Sequence, residues 1–165
     1  GSEMCIRDRH EGGHLLAMAV CGANPERITF YGGGIALSKS GMESLTDAKR
    51  LVILSAGCSV NLLVAAACFA MQGNDTAAVF GAVNLIICIF NALPIGYFDG
   101  AEVLELLLTG FVSLRTAEKV KKIVGTVLAL IITAGVIVYC VMCGESVSLS
   151  LFFVVLFLIQ AQLVS

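Results

Sequence analysis

The chain has 165 residues, 58% of them hydrophobic and only 13% charged, with a net charge of −2 and a mean hydropathy of +0.96. By length it is one domain, and its charged fraction is about half that of a soluble domain, so the class is a polytopic membrane protein. The small net charge and the lack of a basic stripe exclude nucleic acid as a partner. Seven cysteines, an odd number scattered through apolar stretches, do not make a disulfide framework. Cys140 and Cys143 form C-x-x-C on an uncharged apolar run and read as small buried hydrophobes rather than a redox or zinc pair.

Residues 1–9 contain Glu3, Arg7, Asp8 and Arg9 and no apolar run, so they are not a signal peptide. They read as foreign to the domain or as a fragment junction. The expectation is then that a native membrane segment is missing upstream, because a helix carrying a buried metal site should continue apolar before position 10. His10-Glu11-Gly12-Gly13-His14 follows. In this H-E-x-x-H pattern both histidines lie on one helix face and can reach one metal ion. Glu11 sits beside the first ligand, where it can take a proton from a water at the metal. A helix turn with two solvated or core histidines is the plain alternative. The chain is apolar and helix-forming from His10 to Cys21, about 18 Å or half a membrane crossing, and Gly22, Asn24 and Pro25 stop it.

Residues 26–41 read as a β-hairpin: Arg27 to Tyr31 alternates, Gly32-Gly33-Gly34 turns, and Ile35 to Lys39 returns. It is either a plain connector or an edge strand that pairs with an extended substrate. Ser44 can cap the next helix. Leu51 to Met71 is uncharged over about 31 Å, enough to span. A polar turn at 72–76 leads into the shorter apolar run from Ala77, which breaks at Asn91-Ala-Leu-Pro94 because proline cannot continue a regular helix. Gly110 to Lys122 is polar and basic. Ile123 to Cys143 and Leu149 to Val164 are further apolar runs. The expected spans are therefore 10–21 in part, 51–71, 77–92, 123–143 and 149–164. Arg27, Lys39, Lys49 and Arg50 lie in one loop and Arg115, Lys119, Lys121 and Lys122 in another, while the turns 72–76 and 144–148 hold no Lys or Arg. The positive-inside rule puts the basic loops in the cytoplasm, with the histidine site opening toward that side.

A hydrolytic zinc site usually has three protein ligands, and no third histidine exists here. Glu26 and Glu43 are candidates. Asp99 is the stronger one, as a carboxylate following a broken apolar span. Its plain alternative is a capping box with Glu102 at the start of a helix over Ala101–Leu108.

Three separated segments carry a resemblance. They are His10 to His14; Ala56-Gly57-Cys58-Ser59-Val60-Asn61-Leu62-Leu63; and Asn91-Ala-Leu-Pro94-Ile-Gly-Tyr-Phe-Asp99-Gly100. The last two resemble A-G-P-x-x-N-L and N-x-x-P-x-x-x-x-D-G. In this order and spacing, and with Gly32 to Gly34 after a short strand, the chain resembles the site-2 protease family of intramembrane zinc metalloproteases, nearest the sporulation factor IVFB-like subgroup. Cys58 stands where that family often has proline. The resemblance implies an N-terminally truncated, all-α polytopic membrane protein with a small β-hairpin, whose metalloprotease domain covers 10–165. A broken helix would carry the third zinc ligand. His10, His14 and Asp99 would hold one zinc, and Glu11 would be the general base. Asn61, Asn91, Pro94 and Gly33 are the substrate-binding candidates. For the two asparagines helix–helix hydrogen bonding is the alternative; Gly57 permits close helix approach. The implied substrate is a membrane-associated protein, such as a sigma-factor precursor or an anti-sigma factor. A transporter with a buried carboxylate and an inactive zinc-binding scaffold are the competing functions. The transporter leaves Glu11 between two histidines unexplained.

Overall fold

The computed structural model describes residues 2–23, 27–31, 34–38, 42, 44–71, 73–96 and 98–143. They form five helices and two strands: α1 (Ser2–Cys21), β1 (Arg27–Tyr31), β2 (Gly34–Ser38), α2 (Asp47–Ala70), α3 (Asp75–Ala92), α4 (Asp99–Thr109) and α5 (Leu114–Cys143). The strands pair antiparallel, Arg27 opposite Ser38 and Tyr31 opposite Gly34. Gly33, Glu26, Glu43 and the run 149–164 lie outside the described residues. The chain divides into two compact units, residues 1–92 and 93–165. Among the described residues three helices, α2, α3 and α5 up to Tyr139, are long and apolar enough to cross a membrane.

In the first unit α1 and α2 run antiparallel. Lys49 Nζ donates to the Cys21 carbonyl at 3.0 Å, His14 meets Ile53, and His10 meets Asn61, so positions rise along one helix as they fall along the other. The buried face of α2 is Ile53, Leu54, Gly57, Asn61 and Ala65, spaced one turn apart after the first pair. Lipid tails are as apolar as leucine, so in a membrane such helices are held by close packing more than by hydrophobic drive, and small residues permit it. A Cβ on Gly13 would lie 2.9 Å from Val60 Cγ2 and 3.0 Å from the Ala56 carbonyl oxygen. Where α3 meets α2, a Cβ on Gly81 would lie 3.0 Å from Cys68 Cβ and 3.3 Å from the Ala65 carbonyl oxygen. Asn74 Oδ1 accepts from the Ala77 N–H at 3.0 Å and caps α3. The Arg9 guanidinium lies 4.6 Å over the Phe80 ring, which spreads its charge on a π face.

In the second unit Ile95 and Ala129 form a small core with Leu93, Phe98, Leu128 and Ile132 packed on it. The Phe98 N–H donates to the Ile95 carbonyl at 3.1 Å. This turn puts Gly96 at φ 55°, a left-handed conformation that glycine adopts without steric cost. Lys121 pairs with Glu105 between α5 and α4.

Four sequence expectations need correction. α1 does not begin at His10 but runs back to Ser2, because the polar residues 2–9 contain no proline or glycine to stop it. The N-cap of α2 is Thr46, not Ser44, and no side chain caps it; Asp47 in the first turn complements the helix dipole instead. Asp99 is the first residue of α4, whose N-cap is Phe98, so the helix starts two residues before Ala101. The basic stretch before Ile123 is not a loop. α5 starts at Leu114, where Ser113 Oγ accepts from the Thr116 N–H at 3.4 Å, and Arg115, Glu118 and the lysines are good helix formers.

Candidate metal centre

One turn of α2, from Ile53 to Gly57, makes the seat for the two histidines. His14 is 1% exposed and His10 5%. His14 Nδ1 lies 2.7 Å from the Ile53 carbonyl oxygen. A carbonyl only accepts, so Nδ1 carries the proton and Nε2 presents a lone pair. At Gly57 a Cβ would lie 2.6 Å from His10 Cε1 and 2.8 Å from His10 Nδ1, and would overlap His14 Nε2. Glycine at 57 is what lets both rings lie against α2. Ile53 and Gly57 are four residues apart, so the carbonyl and the gap come from the same stripe of the helix.

The rings stand nearly perpendicular, 82° between planes, with their Nε2 atoms 3.3 Å apart. Two imidazole nitrogens on one tetrahedral zinc, each at about 2.0–2.1 Å, are about 3.3–3.4 Å apart. The donor set therefore fits zinc in type and in spacing. Glu11 is half-buried and, by helix geometry, projects about 60° around α1 from His14, on the flank of the ligand face. Asn61, fully buried, is one turn beyond Gly57. Its amide nitrogen lies 3.2 Å from His10 Nδ1, and its Oδ1 is buried without a hydrogen-bond partner. In the sequence Asn61 stands out by its place in an apolar run, but nothing there discloses that its partner is His10, since the two are 51 residues apart.

The remaining candidates are placed as follows. Cys58 Sγ is 3.8 Å from the Cys88 carbonyl oxygen, between α2 and α3. Asn91, half-buried, donates from Nδ2 to the Ile87 carbonyl at 2.9 Å; an amide has a further N–H and an acceptor oxygen beyond that bond. Pro94 lies in the segment between α3 and α4. Asp99 is buried at the first turn of α4, where a helix N-terminus favours a carboxylate. Asn84 is a buried polar residue that sequence reading passes over. It is fully buried, donates to the Phe80 carbonyl at 2.8 Å and has Oδ1 unpartnered. An asparagine within an apolar run was its only signal.

Residues 74–135 match the model of Peptidase family M50, the site-2 protease family. The matched stretch contains Asn91, Pro94 and Asp99; the histidine pair and α2 lie before it. No match was found among curated proteins.

Proposed function

We propose that this chain is a zinc-dependent intramembrane endopeptidase that hydrolyses peptide bonds of membrane-associated proteins. The observation that carries the reading is the pair of Nε2 atoms 3.3 Å apart on His10 and His14, with Glu11 beside them on the same helix. The match of residues 74–135 to Peptidase family M50 supports it from a separate part of the chain. His10 and His14 hold the metal, and Asp99, which lies in the matched stretch, is the third ligand. Bound zinc supplies Lewis acidity toward water and the scissile carbonyl. Glu11 takes the proton from the attacking water and passes it to the departing amine. The Ile53 carbonyl holds His14 in the tautomer that a metal ligand needs. Asn91, Pro94 and Gly33 contribute to holding the substrate backbone. The protein is multi-pass in the cell membrane, its site opens toward the cytoplasm, and its substrate is of the kind a sigma-factor precursor or anti-sigma factor represents.

The test is cleavage of a membrane-spanning substrate in liposomes, with zinc measured on the same samples. Glu11→Gln keeps the side chain's shape and loses its proton acceptor. The expected result is full zinc content with cleavage lowered by about 10² to 10⁴. Normal cleavage by zinc-loaded Glu11→Gln would overturn the mechanism.

A further inference from the structure

The geometry points to a binding site for an acidic glycerophospholipid along one side of α5, a role that stands whether or not the chain cleaves peptide bonds. α5 runs from Leu114 to Cys143 and lies within the second compact unit. Its part from Ile123 onward is about 31 Å long, the thickness of the hydrocarbon layer. The two turns before Ile123 therefore stand at the level of the lipid headgroups.

Those turns carry Arg115, Lys119, Lys121 and Lys122. Lys121 is turned toward α4, where it pairs with Glu105. Arg115, Lys119 and Lys122 are exposed, and at 100° per residue they share about 60° of arc. Glu118 lies between this stripe and Lys121, so one carboxylate stands against three cations. A recess of about 400 Å³ is lined by Glu118, Lys119, Lys121 and Lys122, a volume within the range of small-molecule sites. The helix adds to the same field. Its first turn has no acidic residue, so no carboxylate there offsets the positive end of the dipole, and Arg115 increases it.

Retention of basic residues on one side of a membrane requires only that they flank the span; it does not require them on one face. A single anionic ligand does. The same side of α5 continues into the membrane as Ile123, Leu130 and Ile137, which are 64%, 64% and 52% exposed. They are seven residues apart, two helical turns, so they stay in line below the cations. A phospholipid has both halves of this pattern. Its phosphate oxygens accept charge-assisted hydrogen bonds from the lysine and arginine N–H groups, and its acyl chain lies along the apolar stripe. A free phosphate would use only the upper half. Basic clusters beside a span attract acidic headgroups in this way.

The experiment extracts the whole chain in a mild neutral detergent from vesicles of equal parts phosphatidylglycerol and phosphatidylcholine. Native mass spectrometry then counts the lipid of each kind that stays bound. The expected result is an excess of phosphatidylglycerol that falls as salt rises. Lys119→Gln/Lys122→Gln should cut that excess roughly fivefold for each cation removed, and Lys119→Arg/Lys122→Arg should keep it. Lys49→Gln/Arg50→Gln, at the start of α2, removes as much charge and should leave it unchanged. Each variant is first matched to wild type in helix content and elution volume; if the glutamine pair at α5 does not fold, Lys119→Gln alone carries the test with a roughly fivefold loss. Equal retention of the two lipids by the wild-type chain would overturn the inference. So would an equal loss in the two glutamine pairs, which would assign the preference to the charge of the chain as a whole. Displacement of the lipid by inorganic phosphate alone would mark a small-anion site and overturn it too.

Discussion

A methyl group at position 57 would occupy the space that the two imidazoles need, since a Cβ there lies 2.6 Å from His10 Cε1 and overlaps His14 Nε2. In an ordinary helix interior, Gly→Ala stabilises by about 0.5–1 kcal/mol. Here the clash is with ring atoms whose positions are set by bonds to Ile53 and Asn61. Overpacking of this kind costs about 1–3 kcal/mol, so it outweighs the helical gain. Gly57→Ala should lower the thermal midpoint and weaken zinc binding by at least about tenfold, the smaller of the losses typical for disturbed ligand support. A variant that is more stable and binds zinc normally would mean that the rings do not rest on this turn. Asp99 has a separate test. Asp99→Ala should release zinc if the carboxylate is the third ligand, measured as metal content after gel filtration. Full retention would move that role to Glu26 or Glu43.

At the scale of elements, the α1–α2 crossing depends on Gly13 as well as Gly57. A Cβ at position 13 meets Val60 Cγ2 and, at 3.0 Å, the Ala56 carbonyl oxygen. The valine methyl can shift, whereas the carbonyl belongs to the helix and cannot without moving α2. Gly13→Ala should therefore destabilise by about 1–3 kcal/mol, and adding Val60→Ala should restore only part of it. Complete rescue by Val60→Ala would show that the backbone contact is relaxed. These close approaches also mark where sequence reading reaches its end. The apolar runs around Leu51–Met71, Ala77–Phe90 and Ile123–Cys143 were legible because composition alone distinguishes a spanning helix. The one-face placement of His10 and His14 followed from their four-residue spacing. What spacing could not reveal was pairing across elements: that Ile53 offers its carbonyl to His14, or that Asn61 meets His10. Helix ends were missed for a related reason. Ser44 and Asp99 have the chemistry of caps, but Thr46 and Phe98 occupy the cap positions, and local propensity does not say which of several neighbouring residues the packed helix will use.

At the scale of the whole molecule, the distribution of residues inverts that of a water-soluble fold. His10, His14, Asn61 and Asn84 are buried in the first unit, while Val52, Leu62, Leu63, Phe69, Val79, Ile86 and Ile89 on its helices are exposed. In the second unit Ile123, Leu130, Ile131, Ile137 and Val138 of α5 are exposed as well. So much outward apolar surface is stable against lipid and would drive aggregation in water. Membrane orientation follows from charge. Lys49 and Arg50 stand at the start of α2, and Arg115, Lys119, Lys121 and Lys122 at the start of α5. The turn between α2 and α3 has no basic residue. Basic flanks are retained on the cytoplasmic side, so the start of α2 and the start of α5 should both face the cytoplasm and the α2–α3 turn should face outward. Single cysteines at Leu45, Asp75 and Glu118 on a cysteine-free background test this with a membrane-impermeant thiol reagent. Asp75 is chosen over Asn74 because the Asn74 side chain caps α3 and its loss would cost about 1 kcal/mol. In intact cells only position 75 should react, and in inverted vesicles only positions 45 and 118. Labelling of position 75 from the cytoplasmic side alone would reverse the orientation, and the histidine site would then open away from the cytoplasm.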